Sequence, residues 1–351
     1  MSYTQRVNIP GPHGIVHFTV SDPEGAVLLL IRLAAPTLWR PRCLRIALAL
    51  VLAATVTGVA PEAQAGQTLL VSQFASNSLS EFTLAGELVR ELVAPGVGGL
   101  SAPANVRFGP DANVYVASFG TGEIKKYDYA TGAYLGNFVT GLAGNLDFVF
   151  DPDGNAYVTS YTAQQVYKYS SAGTLLRTYS GVGPTEGLVL KPDGNLLLTN
   201  IAGLGGGSTV KELDVISGGV TLFATGLSDP VGIVIGPDSR YYVANANGTP
   251  NNLINVLDAA GGPAQAWSIN PDGYESDFLT LADHDLFIAT FRGNKILRFD
   301  GATGNLEYGF AVDFSPTGIA LHVPEPASIV LLVLGAVGVA LGHGHCAKRS
   351  N

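Results

Sequence analysis

The chain has 351 residues, of which only 13% are charged and 44 are glycine, and its formal net charge is −9. Few charges and many glycines suit an all-β protein rich in turns and argue against a helical one. Residues 66–326 hold 12 Lys and Arg against 25 Asp and Glu, an acidic body without the positive face that nucleic acid requires, so that partner class is excluded. The two cysteines, Cys43 and Cys346, lie in the flanks. The body therefore has neither a disulfide framework nor a thiolate metal site.

Residues 1–39 are rich in Pro and Gly without sustained periodicity and are expected to form an unstructured extension. Met1 is the only methionine, which raises the alternative of a true start at a non-AUG codon between Val27 and Leu44. Residues 40–65 read as a secretory signal peptide. Arg40, Arg42 and Arg45 form its basic region, Ile46 to Ala54 its apolar run, and Ala63-Gln64-Ala65 the site for cleavage before Gly66. The apolar run is short for an uncleaved anchor helix.

The body repeats one phrase. FVFDPDGNAYVTS (148–160) recurs as VRFGPDANVYVAS (106–118), LVLKPDGNLLLTN (188–200) and IVIGPDSRYYVAN (233–245), with a worn copy, FLTLADHDLFIAT (278–290). Each reads as a strand, a tight turn and a second strand; in the first, Pro152 presets φ, Asp153 bonds its own backbone and Gly154 takes φ > 0. The turn residues Asp111, Asp153, Asp193, Asp238 and Asp283 are 42, 40, 45 and 45 residues apart. Periods near 40–50 with several short strands mean propeller blades. One unit parses into strands at 106–108, 114–118, 123–127 and 134–139. The stretches 69–74, 79–82 and 88–93 look like second, third and fourth strands lacking a first, which 317–321 supplies. The expected architecture is an all-β, six-bladed propeller over residues 66–323, its last blade shared between the two ends of the body.

Units of an apolar strand, Pro-Asp-Gly and apolar-Tyr-Val with a shared closing blade resemble NHL-type propellers. They are also similar to the six-bladed gluconolactonase and streptogramin-lyase-like groups. Aligning the units places Asn105, Asp147 and Asp277 at one position beside the channel, with Glu186 one step earlier. Three carboxylates and an amide oxygen converging there would hold a hard cation, Ca²⁺ or Mg²⁺; the alternative is that they bond strand ends or channel water. The gluconolactonase resemblance implies a channel cation held by acidic and Asn residues. The lyase resemblance implies channel histidines, yet the body has only His284, in a turn, and His322, after the closing strand. No G-x-S-x-G elbow is present, and the Gly-rich 203–208 lacks the lysine of a phosphate loop. That loop and the Asn-rich 245–255 are enlarged connections in neighbouring blades.

After the closing strand come Val323-Pro324-Glu325-Pro326, an apolar run from Ile329 to Leu341, and Lys348-Arg349. This segment, 324–351, resembles the PEP-CTERM sorting signal of Gram-negative bacteria. The resemblance implies a transient transmembrane helix, processing by an exosortase-type peptidase near Pro-Glu-Pro, and passage through the periplasm to the cell surface or extracellular matrix. The functional expectation is a non-catalytic module binding an extracellular polymer, glycan or protein. The alternative is a divalent-metal-dependent hydrolase or lactonase working through the channel carboxylates.

Overall fold

The computed structural model describes residues 2–8, 15–21, 30–33, 66–201, 208–246, 253–268, 276–282 and 284–324. The chain divides into two compact units, residues 1–64 with 326–351, and residues 65–325. In the first unit, Ser2–Asn8, Ile15–Ser21 and Leu30–Leu33 form a three-stranded antiparallel meander. No regular structure was expected there; the alternation in Ile15-Val16-His17-Phe18-Thr19-Val20 is the local reason for it. The leader at 40–65 and the apolar tail beyond Pro324 lie outside the described residues. Among the described residues no helix is long and apolar enough to cross a membrane.

The second unit consists of six four-stranded antiparallel sheets. Blade 1 comprises Pro103–Phe108, Val114–Ser118, Glu123–Tyr127 and Tyr134–Val139, and blade 2 Phe148–Phe150, Ala156–Ser160, Gln165–Tyr169 and Leu175–Tyr179. Blade 3 comprises Thr185–Leu190, Leu196–Asn200, Thr209–Leu213 and Val220–Ala224; blade 4, Pro230–Ile235, Tyr241–Asn245, Leu253–Leu257 and Pro263–Ser268. Blade 5 comprises Ser276–Ala282, Asp285–Thr290, Lys295–Phe299 and Leu306–Ala311. Blade 6 takes its first strand, Pro316–His322, from the far end of the unit and the others, Thr68–Gln73, Ser78–Thr83 and Leu88–Val93, from its beginning. The shared blade read from the sequence is therefore present, with Pro316 opposite Gln73 at one end of the seam and His322 opposite Thr68 at the other.

The first strand of each blade touches the first strand of the next, and blade 6 closes the circuit between blades 5 and 1. The first strands are therefore innermost and line the channel. The cores lie between adjacent blades. Tyr115, Ala117 and Ile124 of blade 1 pack on Phe148, Val158 and Tyr169 of blade 2, and Leu69, Val71 and Phe82 of blade 6 pack on Phe287, Ala289 and Ile296 of blade 5. Each fully buried Leu or Phe contributes about 1.5–3 kcal/mol. The second strands of blades 1, 2, 3 and 4 are buried along their whole length because neighbouring blades cover both faces. The recurrent glycine between third and fourth strands has two reasons to be glycine. Gly132, Gly173 and Gly261 all have φ between 72° and 85°, and a Cβ on each would meet a backbone carbonyl oxygen of the preceding blade, from Leu92, Phe138 and Phe223.

Candidate functional site

The first strands carry an interruption where the sequence placed the channel mouth. The pairing with the second strand skips between Pro103 and Val106, Thr185 and Leu188, Pro230 and Ile233, Ser276 and Leu279, and Pro316 and Ile319. In blade 2 the strand begins at Phe148, immediately after Asp147. Residues inside such a bulge leave the ladder and re-aim their side chains. Hydroxyls on second strands pin several of these points. Thr199 Oγ1 accepts from Gly187 N at 2.8 Å and donates to Val231 O of the next blade at 2.6 Å. Ser72 Oγ accepts from Gly318 N at 2.7 Å and donates to Ala104 O. Two of the positions are glycine because the next blade comes so close: a Cβ on Gly187 would lie 2.2 Å from Val231 O, and one on Gly318 would lie 2.5 Å from Ala104 O.

Of the four predicted side chains, two are seen to touch. Asn105 and Asp147 meet, with Asn105 Nδ2 donating to Asp147 Oδ1 at 2.6 Å. Asp147 is fully buried, and its carboxylate is engaged on every side. Arg107 Nη2 donates to Oδ1 at 2.9 Å and Oδ2 at 3.0 Å, and Arg107 Nε to Oδ1 at 3.1 Å. Phe148 N donates to Oδ1 at 2.7 Å and Leu188 N to Oδ2 at 3.1 Å. Asp147 thus ties blades 1, 2 and 3 together. Arg107, which carries this pair, had no place in the sequence reading; a lone arginine between Val106 and Phe108 reads as an outward-facing strand residue. Glu186 has the Asp229 carboxylate within electrostatic reach. Burial, and then the Asp229 carboxylate, push its pKa up to about 7. Asp277 lies in the bulged first strand of blade 5, and its side chain is outside the described residues. Among the described residues no group of three or more His, Cys, Asp or Glu is gathered for a metal ion.

The histidines are not at this mouth. His284 lies between the first and second strands of blade 5, and His322 ends the first strand of blade 6, both at the opposite end of the ring. His322 Nδ1 lies 3.0 Å from Tyr129 Oη, and its ring packs on Tyr129 and Phe108. Burial lowers its pKa.

What the sequence reading missed is a set of aromatic rings. The residue after the second strand is Phe119, Tyr161 and Phe291 in blades 1, 2 and 5 and Phe74 in blade 6; Ile201 and Ala246 complete the set. Phe74, Phe119, Tyr161, Ile201 and Ala246 are held at the mouth end by a backbone bond to the residues leading into their own blade's first strand. Phe74 N donates to Ser315 O at 3.0 Å, Phe119 N to Ala102 O at 3.2 Å and Ala246 N to Asp229 O at 2.8 Å. The Phe74 ring lies 5.4 Å from that of Phe291, edge to face, and 6.4 Å from that of Phe119, so three successive blades meet in one aromatic cluster. Phe119 remains 38% exposed, and Phe314, leading into blade 6, is 57% exposed. Rings left open to water at a rim keep apolar surface available for contact. Ala102, Asp229, Phe314 and Ser315, on the same rim, all have φ between 46° and 67°, a left-handed backbone that non-glycine residues seldom adopt and that concentrates at ligand sites.

Six four-stranded blades around a channel, closed by strands from both ends of the unit, define a six-bladed β-propeller. No protein-family model matches the sequence, and no curated protein matches it. Among solved structures, a chain of a nidogen/laminin complex is similar over 74% of this chain and 99% of its own, with 16% identity and a TM-score of 0.62. A protein of unknown function from Bacteroides caccae covers 74% of this chain and 100% of its own at 16% identity and a TM-score of 0.58. A catalytically inactive virginiamycin B lyase from Staphylococcus aureus, solved with quinupristin, covers 91% and 92% at 16% identity and a TM-score of 0.54. Likeness at such identity establishes the fold and leaves the activity to the site.

Proposed function

We propose that this chain is an exported, surface- or matrix-directed propeller that binds an extracellular polymer, glycan or protein at the aromatic mouth without transforming it. The observation that carries this reading is the convergence of Phe291, Phe74 and Phe119 from three blades, with Phe119 still open to solvent. The leader with Ala63 and Ala65 and the Val323-Pro324-Glu325-Pro326 tail support export and sorting by an exosortase-type peptidase. The propeller would then be held at the membrane only until that tail is processed. In the lyase reading, channel histidines would do the work, and both body histidines lie at the far end of the ring. The hydrolase or lactonase reading, with Ca²⁺ or Mg²⁺, draws on Glu186 and Asp229 but loses Asp147 as a ligand while that carboxylate is held by Arg107. Co-sedimentation of the full-length chain with matrix polymer from the producing cells tests the proposal. Phe119→Ala should lower the bound fraction several-fold; binding indifferent to both Phe119→Ala and Phe291→Ala would overturn it.

A further inference from the structure

The two ends of the closing seam differ in chemistry. At one end the pairing of Pro316–His322 with Thr68–Gln73 runs on into the rim. There Phe74 N donates to Ser315 O at 3.0 Å, Ala75 N to Phe314 O at 3.1 Å and Gln73 Nε2 to Asp313 O at 3.1 Å. At the other end His322, opposite Thr68, enters a hydrogen-bonded chain shared by blades 6 and 1. Arg90 Nε donates to Glu81 Oε2 at 2.7 Å, and Thr68 Oγ1 and Tyr129 Oη each donate to Glu81 Oε1 at 2.5 Å.

This chain fixes the protons of the imidazole. Tyr129 has one hydroxyl proton and gives it to the Glu81 carboxylate, so its oxygen turns only a lone pair toward His322. His322 Nδ1 therefore carries the hydrogen of their 3.0 Å contact, and in the neutral ring the lone pair is left on Nε2. Among the described residues Nε2 has no protein partner, and it is not sealed from water. A second proton can enter only there.

The surroundings disfavour that proton. The ring packs on Tyr129 and Phe108, with centres 4.4 and 5.4 Å away. The Arg90 guanidinium already lies 4.7 Å from the centre of the Tyr129 ring and is paired with Glu81, the one carboxylate of the chain. Other charged groups on the elements packed around the closing strand are engaged elsewhere: Arg107 with Asp147, Asp285 with Arg298 and Asp128 with Thr131. Glu91 is on the opposite face of its strand from Arg90, His284 is exposed, and Asp277 belongs to the mouth end of its strand. Burial lowers the pKa of His322 from its ordinary 6.5, Glu81 partly offsets this, and Arg90 adds to it.

We infer that His322 is an acid-sensitive latch on the ring: its neutral imidazole holds the closing strand, and a proton taken up at Nε2 loosens both that strand and the grip on Phe74 at its far end. An imidazole released into water accepts the proton more readily than one packed on Tyr129 and Phe108, so acid favours the unlatched strand. The latch is whole above pH 6.5 and weakens as pH falls below that toward the lowered pKa. Because Thr68–Gln73 and Pro316–His322 share one ladder from underside to rim, local opening at His322 reaches the bonds that hold Phe74.

The test is hydrogen exchange of the full-length chain, read by mass spectrometry at about pH 7.5 and about pH 5.5 and corrected for the intrinsic pH dependence of exchange. Peptides spanning 68–78 and 313–322 should lose protection several-fold in acid relative to peptides from blade 2. His322→Phe, which keeps a packed ring but cannot titrate, should remove that loss. A local readout is needed because Glu186, with its pKa raised to about 7, shifts global stability the other way over this range. Glu81, with its pKa below 4.5, stays ionised throughout it. Nitrogen NMR of the wild-type histidines needs no variant: His322 should be the Nδ1–H tautomer in its neutral form and titrate below 6.5. The inference is overturned if the seam peptides keep their protection in acid, if His322→Phe loses it as the wild type does, or if neutral His322 is the Nε2–H tautomer. Loss of protection in 316–322 without loss in 74–78 would overturn the link to the rim.

Discussion

Replacing Asp147 by alanine separates a structural clamp from a metal ligand. The substitution removes the acceptor for Asn105 Nδ2, for the Phe148 and Leu188 N–H groups, and for three contacts from Arg107. Breaking a buried ion pair from one side costs about 3–5 kcal/mol, and each stranded donor adds about 1 kcal/mol or more where water cannot reach it. Arg107 is 27% exposed and can rehydrate, which holds the sum to about 4 kcal/mol. For a domain of this size that lowers Tm by about 8–16 °C. The assay is thermal unfolding followed by circular dichroism, with and without Ca²⁺, Mg²⁺ or chelator. Asp147→Ala should melt lower in all of these, and the double variant Asp147→Ala/Arg107→Ala should cost less than the sum of the singles. The reasoning is refuted if Asp147→Ala melts within about 2 °C of the wild type, or if chelator alone brings the wild type down to the variant's Tm.

The remaining predictions concern the seam, the rim and two carboxyls of opposite behaviour. Gly318→Ala should destabilise by about 1–3 kcal/mol, because its Cβ would meet Ala104 O at 2.5 Å and Asn105 Cα at 2.6 Å. Gly194→Ala, with open space around it but φ of +91°, should cost only about 1 kcal/mol of backbone strain; equal denaturation midpoints for the two would contradict this. Deleting Pro316–His322 should abolish cooperative unfolding, since blade 6 then has no first strand to close the ring; a two-state melt like that of the intact chain would count against the seam. Burial acts to raise the pKa of Glu81, but hydrogen bonds from Thr68, Tyr129 and Arg90 outweigh it and lower the pKa. Its stabilising share should be present above the ordinary glutamate pKa and lost as pH falls through the lowered value, so the stability gap to Glu81→Gln should close in acid. Glu186 has the reverse sign: with its pKa raised to about 7, its charged form opposes folding, so Glu186→Gln should stabilise at pH 8 and lose that advantage as pH falls through about 7 toward 4.5. Denaturant midpoints that do not move with pH would refute both.

The architecture was legible because a repeated turn and a fixed period survive where individual residues vary. The split last blade followed from counting strands in an incomplete first unit. Of the positions aligned at the mouth, Asn105, Glu186 and Asp277 fall in interruptions of their first strands, and Asp147 immediately precedes its own. What their side chains do was not legible, because spacing says nothing of partners: Asp147 finds an arginine 40 residues away, and Glu186 finds Asp229 in the next blade. The rings were missed for a simpler reason. The repeated phrase closes on a buried polar residue at the end of a second strand, and in the three copies that close on Ser118, Ser160 and Thr290 the next residue is aromatic, whereas Asn200 and Asn245 are followed by Ile201 and Ala246. A phrase extended by one position would have shown Phe119, Tyr161 and Phe291 in register, with Phe74 at the matching place in the incomplete first unit. The meander at 2–33 was passed over because its strands are few and separated by Pro- and Gly-rich segments.

The seam in blade 6 also sets an orientation. Pro316 and Gln73 pair at the rim that carries the phenylalanines, and His322 and Thr68 pair at the other end of the same two strands. Chain arriving at Thr68 and chain departing after His322 therefore pass through the underside of the ring, about one strand spacing apart. Phe74 and Phe119 therefore stand at the end of these strands opposite the one where the chain enters at Thr68 and leaves after His322.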